Sequence, residues 1–140
     1  MDVDRREITV EELLSKYAAG ERDFTNVVIY DSRKGLMSGV DFSSINLEGS
    51  YLAVDLSGTI LSQANLRNTI WGDYCRWKEA DFSGSDMTGI NIESSCVFTR
   101  CNFSNTIWNQ ADLFQSTFED CDLAGANFDN ATLAEVDFYG

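Results

Sequence analysis

The sequence predicts an all-β solenoid of square cross-section, entered through one short α-helix. Three observations predict it. Large apolar residues recur every five positions from Phe24 to Phe138. That period suits neither the helical turn of about 3.6 residues nor the two-residue alternation of a simple strand. The residue two positions before each large one is mostly small or compact, as in Val40, Ala64, Cys75, Ala80, Ser85, Cys96, Cys101, Thr106 and Ala126. Finally, the departures from the period recur after every fourth repeat, which is what a four-sided coil gives when one corner accepts insertions.

Met1 to Arg6 reads as a frayed, charged start. Thr9 and Glu12 then form a capping box: the threonine hydroxyl accepts from the backbone N–H of Glu12, and the glutamate reaches back. Val10, Leu13, Leu14 and Tyr17 share one helical face, and Gly20 suits the left-handed position past the helix end. This places a helix at about 10–19, positioned to plug the open end of a repeat column. The expected division is an N-terminal segment with capping helix over 1–22 and a repeat domain over 23–140. Arg22 occupies the small slot before Phe24, so the first repeat is expected to be only partly formed.

Four ladders of inward residues follow. Met37, Leu56, Trp77, Phe98, Phe118 and Phe138 make the first, and Phe42, Leu61, Phe82, Phe103 and Leu123 the second. Leu47, Leu66, Met87, Trp108 and Phe128 make the third, and Leu52, Trp71, Ile92, Leu113 and Leu133 the fourth. The faults all fall between the fourth ladder and the first: Ile29 to Met37 is eight, Leu52 to Leu56 four, Trp71 to Trp77 six and Ile92 to Phe98 six. About five coils are expected, spaced ~4.8 Å apart, giving a column of roughly 25 Å. The absence of proline agrees with a backbone paired along most of its length.

The triplets Ala64-Asn65-Leu66, Ala80-Asp81-Phe82, Ala111-Asp112-Leu113 and Ala126-Asn127-Phe128 resemble the A(D/N)LXX motif of the pentapeptide-repeat family. The resemblance runs over about residues 24–140 and implies a right-handed quadrilateral β-helix with four pentapeptides per coil. Residues 17–24 are similar to the capping helix and entry of many bacterial members. The family implies function only weakly. Some members act through protein contacts in regulation, and a subset imitates DNA and binds DNA gyrase. The motif residues are structural, so no functional residue carries over.

Composition narrows the function classes. With 23 acidic and ten basic residues the net charge is −13, which disfavours direct binding to nucleic acid or anionic membrane. No apolar stretch is long enough to span a bilayer, and a cytoplasmic location is expected. There is no histidine, no nucleophile elbow and no phosphate-binding glycine loop, so no catalytic site, metal or cofactor is expected. Cys75 and Cys96, like Cys101 and Cys121, stand one coil apart. They read as small hydrophobes, because parallel side chains at strand spacing suit a disulfide poorly.

Two surfaces remain as candidates for partners. The irregular corner gathers Tyr30, Arg33, Lys34, Asp73, Tyr74, Arg76 and Lys78, combining tyrosine and arginine as interface hot spots do. The last coil, through Phe118, Phe138 and Tyr139, is expected to pair weakly end to end with a second copy. The sequence thus points to a non-enzymatic protein-binding module with a rigid acidic surface, its partner unidentified. The alternative is a DNA-mimicking ligand of DNA gyrase or another type II topoisomerase. Asp41, Asp81, Asp86, Asp112, Asp122 and Asp137 would supply the charge, and after Arg100 there are seven acids and no base.

Overall fold

The five-residue period closes many of the corners with the same hydrogen bond. The N–H three residues after a large side chain returns to that residue's carbonyl, as from Ile45 to Phe42 (3.1 Å) and from Ser116 to Leu113 (3.0 Å). The residue between them that follows the large one by two has positive φ, 64° at Ser44 and 63° at Gln115. A closing bond with a left-handed third residue is the signature of a type II turn. Glycine suits that slot best, and Gly89 shows a second reason for it. A Cβ there would collide with the Asn68 side chain of the coil below.

The computed structural model describes residues 4–73 and 75–140. Successive turns build a parallel β-solenoid of about six turns with a single short helix among the described residues. Two ladders of strands run along it. Strands β1 (Arg6–Glu7), β2 (Val27–Asp31), β3 (Tyr51–Val54), β4 (Ile70–Trp71) and β6 (Asn91–Ile92) form one sheet in that order. Strands β5 (Arg76–Lys78), β7 (Val97–Thr99), β8 (Thr117–Glu119) and β9 (Asp137–Tyr139) form the other. The two remaining faces are ladders of single bridges, such as Asp41, Ile60, Asp81, Asn102 and Asp122.

All four expected ladders are in register. Trp77, Phe98, Phe118 and Phe138 align in the first, and Leu52, Trp71 and Ile92 in the fourth. The column is one coil longer than the expected five because the first coil is fully formed. Asp23 bridges Asn46, Ile29 pairs with Leu52, and Phe24 is completely buried. Arg22 does not interrupt it, because its side chain turns outward. Its guanidinium lies 3.7 Å from the centroid of the Tyr17 ring and donates to the carbonyls of Tyr17 and Glu21.

The core changes character along its length. Coil two is lined by Leu47, Leu52, Leu56 and Leu61, whereas coils three to five carry Trp71, Trp77, Phe82, Phe98, Phe103, Trp108 and Phe118, all buried. Rings stack between coils where the ladder puts them in line, as Phe82 on Phe103 at 5.1 Å and Phe118 on Phe138 at 5.2 Å between centroids. Each buried ring contributes about 1.5–3 kcal/mol of burial. The indole N–H groups are all satisfied: Trp71 donates to Thr69 (3.0 Å), Trp108 to Thr106 (2.6 Å) and Trp77 to the carbonyl of Val54 (3.1 Å).

The helix α1 spans Val10–Ala18 with the expected capping box between Thr9 and Glu12. Val10 and Leu13 are buried against the first coil, and the Tyr17 hydroxyl donates to the carbonyl of Ser43 (2.7 Å). The charged start is more ordered than its composition suggests. Arg6 and Glu7 pair in parallel with Val27 and Val28, and the Arg5 side chain donates to the carbonyl of Gly49 (2.7 Å). A two-residue strand has no hydrophobic pattern of its own. It forms because β2 would otherwise be an open edge.

The cysteines require a correction. Cys75 and Cys96 form a disulfide across one coil, with Cα atoms 5.0 Å apart. That separation lies within the usual disulfide range. The expectation failed because both residues precede their strands, β5 and β7, at the irregular corner. There the side chains are not held parallel by a regular ladder.

Candidate partner groove on the irregular edge

The spacing faults create relief. At the corner between the fourth and first ladders, coil one carries a long loop, coil two the shortest connection, and coils three and four intermediate ones. Because coil two has no slack, β3 runs straight through Val54 and stays paired with β2 up to Asp31. The corner of coil two therefore lies low between neighbours that protrude. The result is a groove of about 870 Å³ along the column, lined by Ser32 and Lys34 of coil one, Asp55 and Ser57 of coil two, Asp73, Cys75, Arg76 and Lys78 of coil three, and Ser94, Ser95, Val97 and Thr99 of coil four.

Its floor is fixed. Asp55 accepts from the N–H groups of Gly35 and Ser57, each at 2.9 Å. Burial opposes its ionisation, but these bonds, the Ser57 hydroxyl and the charge of Lys34 outweigh it and lower its pKa. The Lys78 N–H donates to the Ser57 hydroxyl (2.9 Å), and the Cys75–Cys96 bridge ties coil three to coil four. Arg76 and Lys78 lie two apart on β5 and both side chains face outward, with Trp77 buried between them.

Of the residues singled out from sequence, Lys34, Asp73, Arg76 and Lys78 line this groove together. Tyr30 and Arg33 line a second hollow of about 530 Å³ beside the helix. Arg33 is held there by the protein's own acids. Its guanidinium makes ion pairs with Asp31 (2.6 Å) and Glu11 (2.9 Å). These bonds raise its pKa and lower those of both carboxylates. Tyr74 lies outside the described residues. In the last coil Phe138 and Tyr139 are exposed, whereas Phe118 is buried beneath Phe138. The groove residues the sequence reading did not single out are Ser32, Asp55, Ser57, Ser94, Ser95, Val97 and Thr99. The signal was present: each falls between a fourth-ladder and a first-ladder residue, or just past the latter, in its coil.

Five of the six aspartates singled out before inward residues serve the turns. Asp41, Asp81, Asp86, Asp112 and Asp122 each accept the N–H two residues on, at 2.8 Å (Ser43), 2.9 Å (Ser83), 3.0 Å (Thr88), 3.2 Å (Phe114) and 2.9 Å (Ala124). These are Asx turns, a use of short polar side chains that competes with display. The Ser43 hydroxyl and N–H together lower the pKa of Asp41. Asp41, Asp81 and Asp122 lie on one ladder, and Asp86 and Asp112 on two others.

The repeat profile of the pentapeptide repeats matches residues 96–133 and 111–140, in eight copies. The same register continues unbroken back to Phe24 in the structure. Residues 96–140 are pentapeptide repeats. No curated protein matches it. Among solved structures it is similar to the pentapeptide-repeat protein HetL, involved in heterocyst differentiation regulation in the cyanobacterium Nostoc sp. strain PCC 7120, at 20% identity and a TM-score of 0.43, over 92% of this chain and 72% of that one. It is also similar to a trypsin-treated variant of QnrB1, a plasmid-mediated fluoroquinolone resistance protein, at 23% identity and a TM-score of 0.36, over 83% of this chain and 62% of that one. The pentapeptide-repeat protein Rfr23 from the cyanobacterium Cyanothece 51142 matches at 16% identity and a TM-score of 0.28, over 92% of this chain and 95% of that one. No helix among the described residues is long and apolar enough to cross a membrane.

Proposed function

We propose that this protein is a non-enzymatic binding module whose protein partner docks along the irregular edge. The observation that carries the reading is the groove itself. Three corners of the column are uniform, and the fourth departs from uniformity in four successive coils. Those departures open a concave surface with a tied-down floor, on a scaffold whose packed aromatic core leaves little freedom to move. A rigid concave surface limits the ordering cost of association. The DNA-mimicking alternative draws less support. The regularly spaced aspartates are occupied by turn N–H groups and are divided among several ladders.

The test uses a photo-crosslinking residue in the full chain, expressed in its native host. It is placed at Ser94 in the groove or at Ser104 on the opposite corner. Discrete adducts with another protein from Ser94 and none from Ser104 are the expected outcome. Equal labelling from both positions, or none from Ser94, defeats the proposal.

A further inference from the structure

We infer that the groove takes an acidic, extended segment of the partner protein, bound through Lys34, Arg76 and Lys78. This rests on the docking site proposed above and adds the chemistry of what docks there. The protein has 23 acidic and ten basic residues, and among the described residues three of the ten basic side chains pair with the protein's own carboxylates. Arg33, Arg67 and Arg100 do so, pairing with Asp31 and Glu11, with Asp86, and with Glu79. Among the described residues no ion pair reaches Lys34, Arg76 or Lys78, although all three line one groove. Around them stand three serines and a threonine, Ser32, Ser94, Ser95 and Thr99. Hydroxyls and cations together are the donors that an oxyanion needs.

The carboxylates of the groove shape the specificity. Asp55 is turned into the floor, where the N–H groups of Gly35 and Ser57 hold it. Asp73 is exposed at the rim of coil three. Lys34 belongs to coil one and Arg76 to coil three, so they are separated by two coil spacings, roughly 10 Å along the column. A segment in the extended polyproline II conformation advances about 3.1 Å per residue and brings every third side chain to the same face. A segment lying along the groove would therefore meet both cations with acidic residues about three positions apart, passing over Asp55 with a neutral residue. Elsewhere the acidic surface repels such a segment, which favours this register over others.

The experiment measures binding of a dye-labelled octapeptide with glutamates three positions apart to the full chain, by fluorescence anisotropy at low and high salt. A counterpart with lysines in place of the glutamates is the control. The glutamate peptide is expected to bind at low salt, to weaken at high salt and to outcompete the lysine peptide. Combined Lys34→Gln, Arg76→Gln and Lys78→Gln should weaken it about tenfold or more, given the modest worth of each exposed pair. Asp73→Asn, which removes a like charge, should tighten it. No binding by the glutamate peptide, or equal binding by the triple variant with an unchanged melting curve, overturns the inference. So does a raised melting temperature in millimolar inorganic phosphate with no peptide binding, since the groove would then hold a free anion. If the Ser94 adducts form while the peptide fails, the docking site stands and the acidic partner does not. If both fail, both are wrong.

Discussion

Tyr51 of coil two donates its hydroxyl to Glu93 of coil four at 2.7 Å, reaching across the whole of coil three. The reach is open because coil three presents Gly72 there, where a Cβ would overlap the tyrosine ring. The bond to Glu93, together with burial and the nearby negative charge, pushes the Tyr51 phenol up to about 12. A neutral phenol is the form that donates. Its contribution to stability is therefore complete below the ordinary tyrosine pKa near 10 and is lost as pH rises through about 12. Phenolate absorbance should show Tyr51 titrating late, and Tyr51→Phe should remove that late step. A single titration unaffected by the substitution would contradict the bond. Gly72→Ala should cost about 1–3 kcal/mol in denaturant unfolding, as overpacking does.

The disulfide makes a separate prediction. Cys75 and Cys96 enclose a sequence separation of 21, for which loop closure predicts about 3 kcal/mol of stabilisation. Reducing agent, or Cys75→Ser with Cys96→Ser, should lower the unfolding midpoint correspondingly while leaving the far-ultraviolet spectrum of the folded column intact. An unchanged midpoint would mean that the bridge does not form in solution.

The second pair of stacked cysteines should behave unequally. Cys101 is buried and Cys121 partly exposed, and each thiol lies within reach of backbone carbonyls, Cys101 of Trp77 (3.5 Å) and Thr99 (3.7 Å), Cys121 of Phe98 (3.4 Å) and Glu119 (3.6 Å). The neighbouring Cys121 thiol and burial raise the Cys101 pKa, whereas the neighbouring Cys101 lowers that of Cys121. The thiolate is the reactive species. Iodoacetamide at neutral pH should modify Cys121 first and Cys101 only on unfolding, which peptide mass spectrometry resolves. Faster labelling of Cys101 would reverse the assignment.

What could be read in the sequence was whatever depends on the period. Phe103, Trp108 and Leu113 belong to a repeat that forces each of them inward, so their ladders and burial followed from counting. The capping box at Thr9 and Glu12 is local and was equally legible. Interactions that depend on unequal loops were not. Arg33 meets Glu11 across 22 residues because the long loop of coil one folds back toward the helix. Cys75 meets Cys96 because both sit just outside their strands. The groove falls between these cases. Its residues share one corner by counting, but its depth comes from the difference in loop length between adjacent coils.

The core makes the sharpest distinction between losing a shape and losing a bond. Phe103 is completely buried, with rings of Phe82, Phe98, Trp108 and Phe118 packed around it. Phe103→Asp would place a charge there without a partner, and the column should fail to fold. Thr106 tests something finer. Its hydroxyl donates to the carbonyl of Phe103 (2.6 Å) and accepts from the Trp108 indole (2.6 Å). Thr106→Val keeps the volume but leaves the buried indole N–H without an acceptor. The expected cost is about 1–3 kcal/mol. Thr106→Ser retains the hydroxyl and should recover most of it. Denaturant unfolding followed by tryptophan fluorescence measures both, and a valine variant as stable as the serine one would show that the indole finds another acceptor.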